Sequence, residues 1–310
     1  MSSKPFVIFI MGPTATGKTD LAVFLHDHLN CEIISVDSAM VYRGMDIGTA
    51  KPDKKLLSKV PHRLIDICEP NEVYSAARFQ QDANAAIKEI LEKDKIPVLV
   101  GGTGLYFRAL QYGLAKLPEA NYRIRARLEI EAEKEGWQAL HARLKQVDPK
   151  VAGSISPNDP QRIQRALEVY EITGETMSAL LAEGRQEPFQ NPVRKIILAP
   201  EDRSQLHVRI KDRFIQMLQS GLVEEVESLY KRGDLSLDLP SMRLVGYRQV
   251  WRYLDGQTSY SEMQEHAIVA TRQLAKRQIT WCRSEQGGNW YDPYNSGIFT
   301  EILRNLDKYP

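Results

Sequence analysis

Several things are scarce in this chain, and each absence excludes something. Three cysteines, Cys31, Cys68 and Cys282, stand far apart among 310 residues with no C-x-x-C pair. That excludes a zinc finger and a disulfide-built scaffold, and it fits reduced thiols in a cytoplasmic protein. No apolar run approaches the length of a membrane span, and no signal-peptide segment opens the chain. Net charge is only +1, so a footprint on nucleic acid must be local rather than global. The histidines lack metal-ligand spacing: His26 and His28 are two apart on a helical stretch and diverge, while His62, His141, His207 and His266 stand alone. Repeats and low-complexity segments are absent. What remains, 43% hydrophobic and 26% charged, is enough for one large folded domain or two ordinary ones and argues against wholesale disorder.

The strongest positive signal is Gly12-Pro13-Thr14-Ala15-Thr16-Gly17-Lys18-Thr19, set directly after the apolar run Phe6–Met11. This is the G-x-x-x-x-G-K-[ST] phosphate loop in its required context, strand before and helix after. The glycines let backbone N–H groups curl around an anion, and the helix start adds the positive end of a dipole. Lys18 brings a full charge, and the Thr19 hydroxyl suits Mg²⁺. By motif alone the loop would also take ATP; a diphosphate ester fits equally well.

Short β-branched runs, Val7–Met11, Glu32–Val36, Arg63–Ile67, Pro97–Val100 and Lys195–Ala199, alternate with amphipathic stretches such as Lys18–Leu29 and Ser75–Lys93. This predicts an α/β fold, a doubly wound parallel sheet of the P-loop kind. Between 117 and 192 the pattern becomes helix after helix, punctuated by Pro118, Pro149, Pro157, Pro160, Pro188 and Pro192. We read residues 1–116 with 193–310 as a catalytic core and 117–192 as an all-helical insertion domain.

Other constellations carry less on their own. Asp37 ends the second strand beside the loop, where an acid can serve as general base or metal ligand, or merely cap a turn. Gly101-Gly102-Thr103-Gly104 ends the next strand over. Asp159-Pro160 opens a helix with N-cap and first-turn chemistry. Its Gln161, Arg162 and Arg165 could hold phosphate and a base edge, yet Glu168 nearby makes an ordinary ion-paired face the better reading of that segment alone. From Arg243 to Arg283 seven Lys/Arg face three Asp/Glu, interleaved with aromatics. That suits either a phosphate-backbone footprint or a surface helix pair with Trp251 and Trp281 packed inward.

Taken in order, Gly12–Thr19, Ser35-Val-Asp37-Ser38, Tyr42–Lys51, Pro61–Asp66, Gly101–Tyr106, Asn158–Glu168, Arg243–Arg248 and Thr271–Trp281 resemble the tRNA dimethylallyltransferases of bacterial type, across nearly the whole chain. The resemblance implies transfer of a dimethylallyl group from its diphosphate to N6 of the adenosine 3′ of the anticodon, with Mg²⁺ as cofactor. It implies that Gly12, Pro13, Thr14, Ala15, Thr16, Gly17, Lys18 and Thr19 hold the diphosphate. Arg213 would assist the leaving group, and Asp37 would take the proton from N6 or bind metal with Thr19. It further implies tRNA contacts from Asp37, Ser38, Ala39, Met40, Thr103 and Arg125, and from Gln161, Arg162, Ile163, Gln164 and Arg165. The same holds for Arg243, Leu244, Val245, Gly246, Tyr247 and Arg248, and for Lys276, Arg277, Gln278, Ile279, Thr280, Trp281, Cys282 and Arg283. The insertion would clasp the anticodon stem-loop. The implied protein is a cytoplasmic monomer with no membrane and no obligate protein partner. The rival from another reaction class is a P-loop nucleotide kinase, which would consume ATP and ignore tRNA; a non-catalytic RNA-binding module is the third reading, disfavoured by the intact Lys18-Thr19 pair.

Overall fold

The apolar run Val7–Met11 forms strand β1, buried at every position, as a strand covered on both faces must be. The computed structural model describes residues 5–184 and 189–307; Pro188 lies outside them. β1 joins β2 (Cys31–Val36), β3 (His62–Arg63), β4 (Ile96–Gly101), β5 (Val193–Leu198) and β6 (Gly288–Tyr291) in one six-stranded sheet ordered β3-β2-β4-β1-β5-β6. Every pairing in it is parallel. Four helices accompany the first strands: α1 (Lys18–His28), α2 (Lys54–Lys59), α3 (Ala76–Leu91) and α4 (Gly104–Tyr112). Between β4 and β5 come α5 (Tyr122–Glu135), α6 (Trp137–Val147), α7 (Pro149–Ala152), α8 (Pro160–Thr173) and α9 (Met177–Ala182). Then follow α10 (Arg203–Gln219), α11 (Leu222–Tyr230), α12 (Tyr247–Leu254) and α13 (Tyr260–Ser284), and after β6 the closing α14 (Ile298–Asp307). Because β1 is flanked by β4 on one side and β5 on the other, the chain leaves the sheet centre in opposite directions, and the loops there open a crevice at the carboxyl ends of the strands.

The chain divides into two compact units, Met1–Leu110 with Gln190–Pro310, and Gln111–Phe189; the ends of the second precede the expected 117 and 192. Among its described residues the second unit holds no strand. Its core gathers Leu128, Leu140, Leu144, Ile163 and Leu167. The Asn121 side chain caps α5, and Asp159 caps α8 with Pro160 in its first turn. Into this apolar core goes a carboxylate: Glu168 is fully buried. It accepts from Arg125 Nε at 2.8 Å and Nη2 at 3.0 Å, from Arg165 Nη1 at 2.6 Å and from the Asn121 amide at 2.7 Å. Burial alone would raise its pKa; the bonds from Arg125 and Arg165 outweigh burial and hold it below the usual carboxylate range.

Two differences from the sequence-based expectation have clear causes. The strand expected at Arg63–Ile67 is only His62–Arg63, because Leu64 and Asp66 take left-handed backbone (φ 62° and 56°) and turn the chain away. That turn brings the Asp66 carboxylate to Lys51 Nζ at 2.5 Å. The sheet also gains β6, whose Asn289 and Trp290 are exposed and leave no apolar run to read. The α14 stripe Ile298, Ile302 and Leu306, which packs onto the core beside β1 residues, was visible at helical spacing and was not read.

Candidate active site

The loop between β1 and α1 is shaped by three positive φ values: Gly12 at 152°, Ala15 at 63° and Gly17 at 75°. Gly12 has no alternative, since a Cβ there would lie 2.1 Å from the Leu198 carbonyl oxygen of β5. Gly17 caps α1 without a side-chain bond, so the first-turn amides are left for a ligand. Thr16 Oγ1 and Lys18 Nζ both donate to the Pro13 carbonyl, at 2.9 and 2.5 Å, folding the loop on itself. From α10, Arg213 Nη1 reaches Thr14 Oγ1 at 3.3 Å. Burial and then the Arg213 charge pull Lys18 down to about 8, against the opposing pull of Asp37. Burial likewise lowers Arg213, with Asp37 opposing. Lys18 and Arg213 are therefore held close together with Asp37 near both, while Arg209 adds positive charge and Asp20 negative charge beside Arg213; the repulsion between the cations is one that a polyanion would relieve.

Asp37 leaves the end of β2 in a tight turn: its Oδ1 accepts from the Ala39 amide at 2.8 Å and the Met40 amide at 3.4 Å. No hydrogen bond to Oδ2 occurs among the described residues. The Ser38 amide donates to Thr103 Oγ1 at 3.0 Å, tying this turn to the loop after β4. The glycines of that loop leave room for side chains of α13. A Cβ on Gly102 would come within 2.3 Å of Gln278 Nε2, and one on Gly104 within 2.2 Å of the Trp281 ring. Gln278 Oε1 accepts from the Thr14 amide at 2.9 Å and its Nε2 donates to the Gly102 carbonyl at 3.0 Å.

Two cavities meet here. One, of about 500 Å³, is lined by Thr14–Asp20, Asp37, Met40, Arg209, Asp212, Arg213 and Gln216. The other, of about 630 Å³, is lined by Ser38, Ala39, Thr103, Phe214, Met217, Arg243–Tyr247, Leu274, Arg277 and Trp281. Thr14, Ala15, Asp37, Thr49, Gly102, Arg213 and Gln278 line both, so Asp37 and Arg213 stand at the junction of a polar lobe and an aromatic, apolar one.

One wall of the apolar lobe rests on a residue the sequence reading missed. Glu225 of α11 accepts from the amides of Asp46, Ile47 and Gly48 at 2.9, 2.7 and 3.1 Å and from Tyr247 Oη at 2.5 Å. The Tyr247 ring lies where a Gly48 Cβ would be, 2.5 Å away. Burial and Glu225 drive the Tyr247 phenol far up, so it stays a donor. Lys51 completes the brace, donating to Tyr42 O at 2.9 Å and to Asp46 and Asp66 at 2.5 Å each. Glu225 stands almost two hundred residues from the loop it caps, and nothing local in the sequence marks it. Arg209 and Gln216 were also missed, although with Arg213 they recur at i, i+4 and i+7 on one face of α10.

Not every expected contact residue is available. Ile163, Ile279 and Cys282 are interior, at 0%, 5% and 0% exposure, because helical periodicity turns them into the cores of their units, and Tyr247 is fully buried with its hydroxyl held by Glu225. As side-chain contacts to an RNA they are corrected to packing residues; Ile279 lies against Ala15 and Leu206. Arg125 and Arg165 are committed to Glu168. Gln164 donates to Arg125 O and Glu129 at 3.1 Å each. Gln161 and Arg162 are exposed on α8, and Lys276, Thr280 and Arg283 are exposed on α13, outside both lobes. Arg248 is half-buried on α12, also outside the lobes.

A doubly wound parallel sheet with a two-lobed cleft at its strand ends defines an α/β protein built to bring ligands together at the switch point. Comparison narrows this class: the IPP transferase family model matches residues 40–285, and the chain belongs to that family. It is 57% identical over 284 residues to the tRNA dimethylallyltransferase of Thioalkalivibrio sulfidiphilus, covering 92% of this chain and 89% of the relative. It is 59% identical over 291 residues to that of Alkalilimnicola ehrlichii, covering 93% and 91%. Among solved structures it resembles the tRNA isopentenylpyrophosphate transferase of Bacillus halodurans (TM-score 0.72, 38% identity, 98% and 96% covered). It also resembles a eukaryotic dimethylallyltransferase captured acting on tRNA (TM-score 0.80, 25% identity, 99% and 80% covered).

Proposed function

We propose that this chain transfers the dimethylallyl group of dimethylallyl diphosphate to N6 of the adenosine 3′ of the anticodon in tRNA, releasing diphosphate. The observation that carries this reading is the junction: Asp37 and Arg213 line both lobes, one rich in cations and loop amides, the other in aromatic and apolar side chains. A kinase would need a second phosphoryl acceptor site, and the apolar lobe does not resemble one.

The chemistry assigns the residues. Breaking the allylic C–O bond leaves negative charge on diphosphate, and fixed donors at that spot lower the barrier most. Lys18, Arg213 and the uncapped first-turn amides of α1 supply them. The exocyclic amine of adenine is a weak nucleophile; as its new N–C bond forms it gives up a proton, which Asp37 Oδ2 is free to accept. The target base leaves the anticodon stack to reach the apolar lobe. There Trp281 offers a ring face and Leu244, Met217 and Leu274 an apolar floor, while the fully buried Tyr247 braces the wall behind them. The residues present also fit Mg²⁺. Thr19 and Asp37 line the polar lobe with hydroxyl and carboxylate oxygens, hard donors of the kind Mg²⁺ takes, and a site with few protein ligands is the usual form when phosphates complete it. When bound, the ion would neutralise charge on the leaving diphosphate. We assign the anticodon stem-loop to the helical unit and to the exposed cations of α13. No helix among the described residues is long and apolar enough to cross a membrane.

The test is one incubation of unmodified tRNA with labelled dimethylallyl diphosphate and Mg²⁺ but no ATP. Label in RNA is expected. ATP hydrolysis in a parallel tube, with no label in RNA, would overturn the reading in favour of a kinase.

A further inference from the structure

α13 was expected to offer Gln278 to RNA. The structure gives its side chain another employment. A primary amide carries one acceptor and two donors, and here the acceptor takes the Thr14 N–H while a donor takes the Gly102 carbonyl. Those two backbone groups belong to different loops, one following β1 and the other β4. The strands beneath them are paired in register, Met11 with Gly101, but among the described residues no backbone hydrogen bond joins the two loops directly. Gln278 bridges them. A Cβ on Gly102 would lie 2.3 Å from Gln278 Nε2, so a side chain there would push the amide aside.

The connection continues on the far side. Thr103 donates its amide to Val36 O at 3.3 Å, and its Oγ1 receives the Ser38 amide at 3.0 Å. Ser38 follows Asp37, whose own carboxylate caps the turn. A short line of bonded groups therefore runs from Thr14, on the diphosphate loop, through Gln278, Gly102 and Thr103 to the Asp37 turn. At its other end Thr14 also receives Arg213.

We infer that Gln278 is a positioning residue that fixes the separation between the diphosphate loop and the Asp37 turn, and so the alignment of allylic carbon, amine and base. This rests on the transferase reading above. A reacting pair must sit within about 3–3.5 Å, and a misplacement of about 1 Å can cost about 100-fold in rate. Neither loop alone can enforce that distance, because each is anchored to its own strand.

The experiment uses the full chain with dimethylallyl diphosphate and an unmodified anticodon stem-loop. For Gln278→Met, which keeps length and removes both bonds, kcat is expected to fall about 10- to 100-fold. Dissociation constants for each substrate, measured separately, should stay within about threefold of the parent. A Gln278→Met protein with parental kcat but a raised RNA dissociation constant would overturn the inference in favour of an RNA contact. Gln278→Glu, of the same shape, guards against a folding defect. Ionised, it keeps the bond from Thr14 and opposes the Gly102 carbonyl; protonated, it regains a donor. Its kcat relative to Gln278→Met should rise as pH falls, and a flat ratio overturns the positioning role. Thr103→Ala should add less than its full effect to Gln278→Met, since both sever the same connection; full additivity counts against it. If the parent itself places no label in RNA, the transferase reading has failed rather than the role of Gln278.

Discussion

Arg213 in the cleft and Arg165 in the helical unit look alike in sequence: each is a half-buried arginine on a helix with an acid at hand. They differ in what the acid does. Arg165 lies 2.6 Å from Glu168, which also holds Arg125, so one buried carboxylate is shared by two guanidinium groups and a helical core is pinned. Arg213 makes no ion pair among the described residues; it touches Thr14 and stands at the junction of two cavities. A cation already matched to an acid holds a fold, and a cation left unmatched over a cavity waits for a ligand. The cleft and the helical unit can therefore be told apart by removing charges from each and asking whether chemistry or stability is lost.

The largest effect is expected at the one acid of the junction. Asp37→Asn keeps the shape and the Oδ1 turn but cannot accept a proton, so transfer should fall by about 10²–10⁴. Affinity for dimethylallyl diphosphate with Mg²⁺ should stay near parental. If affinity collapses instead and excess Mg²⁺ restores turnover, Asp37 is chiefly a metal ligand. Lys18→Ala comes next, about 10²–10³ in turnover, with little change in the melting temperature or in RNA binding; near-normal turnover would refute the role of the loop.

Lys18 also sharpens the contrast through pH. Burial and Arg213 hold its pKa at about 8 in the free protein. A bound diphosphate favours the charged form, so binding above pH 8 requires proton uptake. Affinity should weaken by up to about tenfold per pH unit above 8 and level off below it. Titration of dimethylallyl diphosphate from pH 7 to 10 measures this; a flat profile across pH 8 would show that Lys18 does not meet the anion.

How much of this was legible beforehand follows the range of the interactions. The Gly12–Thr19 loop, β1 and α1 are local: their residues adjoin in sequence and their geometry follows from glycine, strand and helix start. Asp37 was legible because strand ends converge in a doubly wound sheet. The commitment of Arg125 and Arg165 was not, since it depends on which face of α8 turns inward, and Glu168 reads from sequence as a surface acid. Glu225 and Gln278 were misread or missed for the same reason. Their partners are the backbone groups of distant loops, and backbone groups have no sequence signature.

In the helical unit the expected loss is of stability. Glu168→Gln keeps the volume but leaves two arginines without their buried counter-charge, at a cost of about 1–3 kcal/mol. Because the fold holds Glu168 below its ordinary pKa, its contribution is present at neutral pH and is lost as pH falls through that lowered value. Thermal unfolding should register the change, while kcat at saturating RNA stays parental. Unchanged melting with a lost turnover would erase the distinction between the two regions.

The smallest expected effect tests the rule at its edge. Arg248 on α12 lies outside both lobes, and it makes no ion pair among the described residues. Its nearest charged influences are Arg252 and Arg243, which after burial lower its pKa further. Arg243 is itself only loosely matched, 3.6 Å from the exposed Asp238. By the reasoning that separates Arg213 from Arg165, such a group is held for an anion, and on the proposed function, in which the neighbouring lobe receives a base, that anion is expected to be an RNA phosphate. Arg248→Ala should weaken binding of the anticodon stem-loop several-fold at low salt and reduce the slope of log affinity against log salt by about one. Arg165→Ala should leave that slope alone and lower the melting temperature. Binding isotherms between 50 and 200 mM salt compare the two directly. If both variants change the slope equally, the presence of a matching acid does not decide what an arginine is for, and the comparison between cleft and helical unit fails.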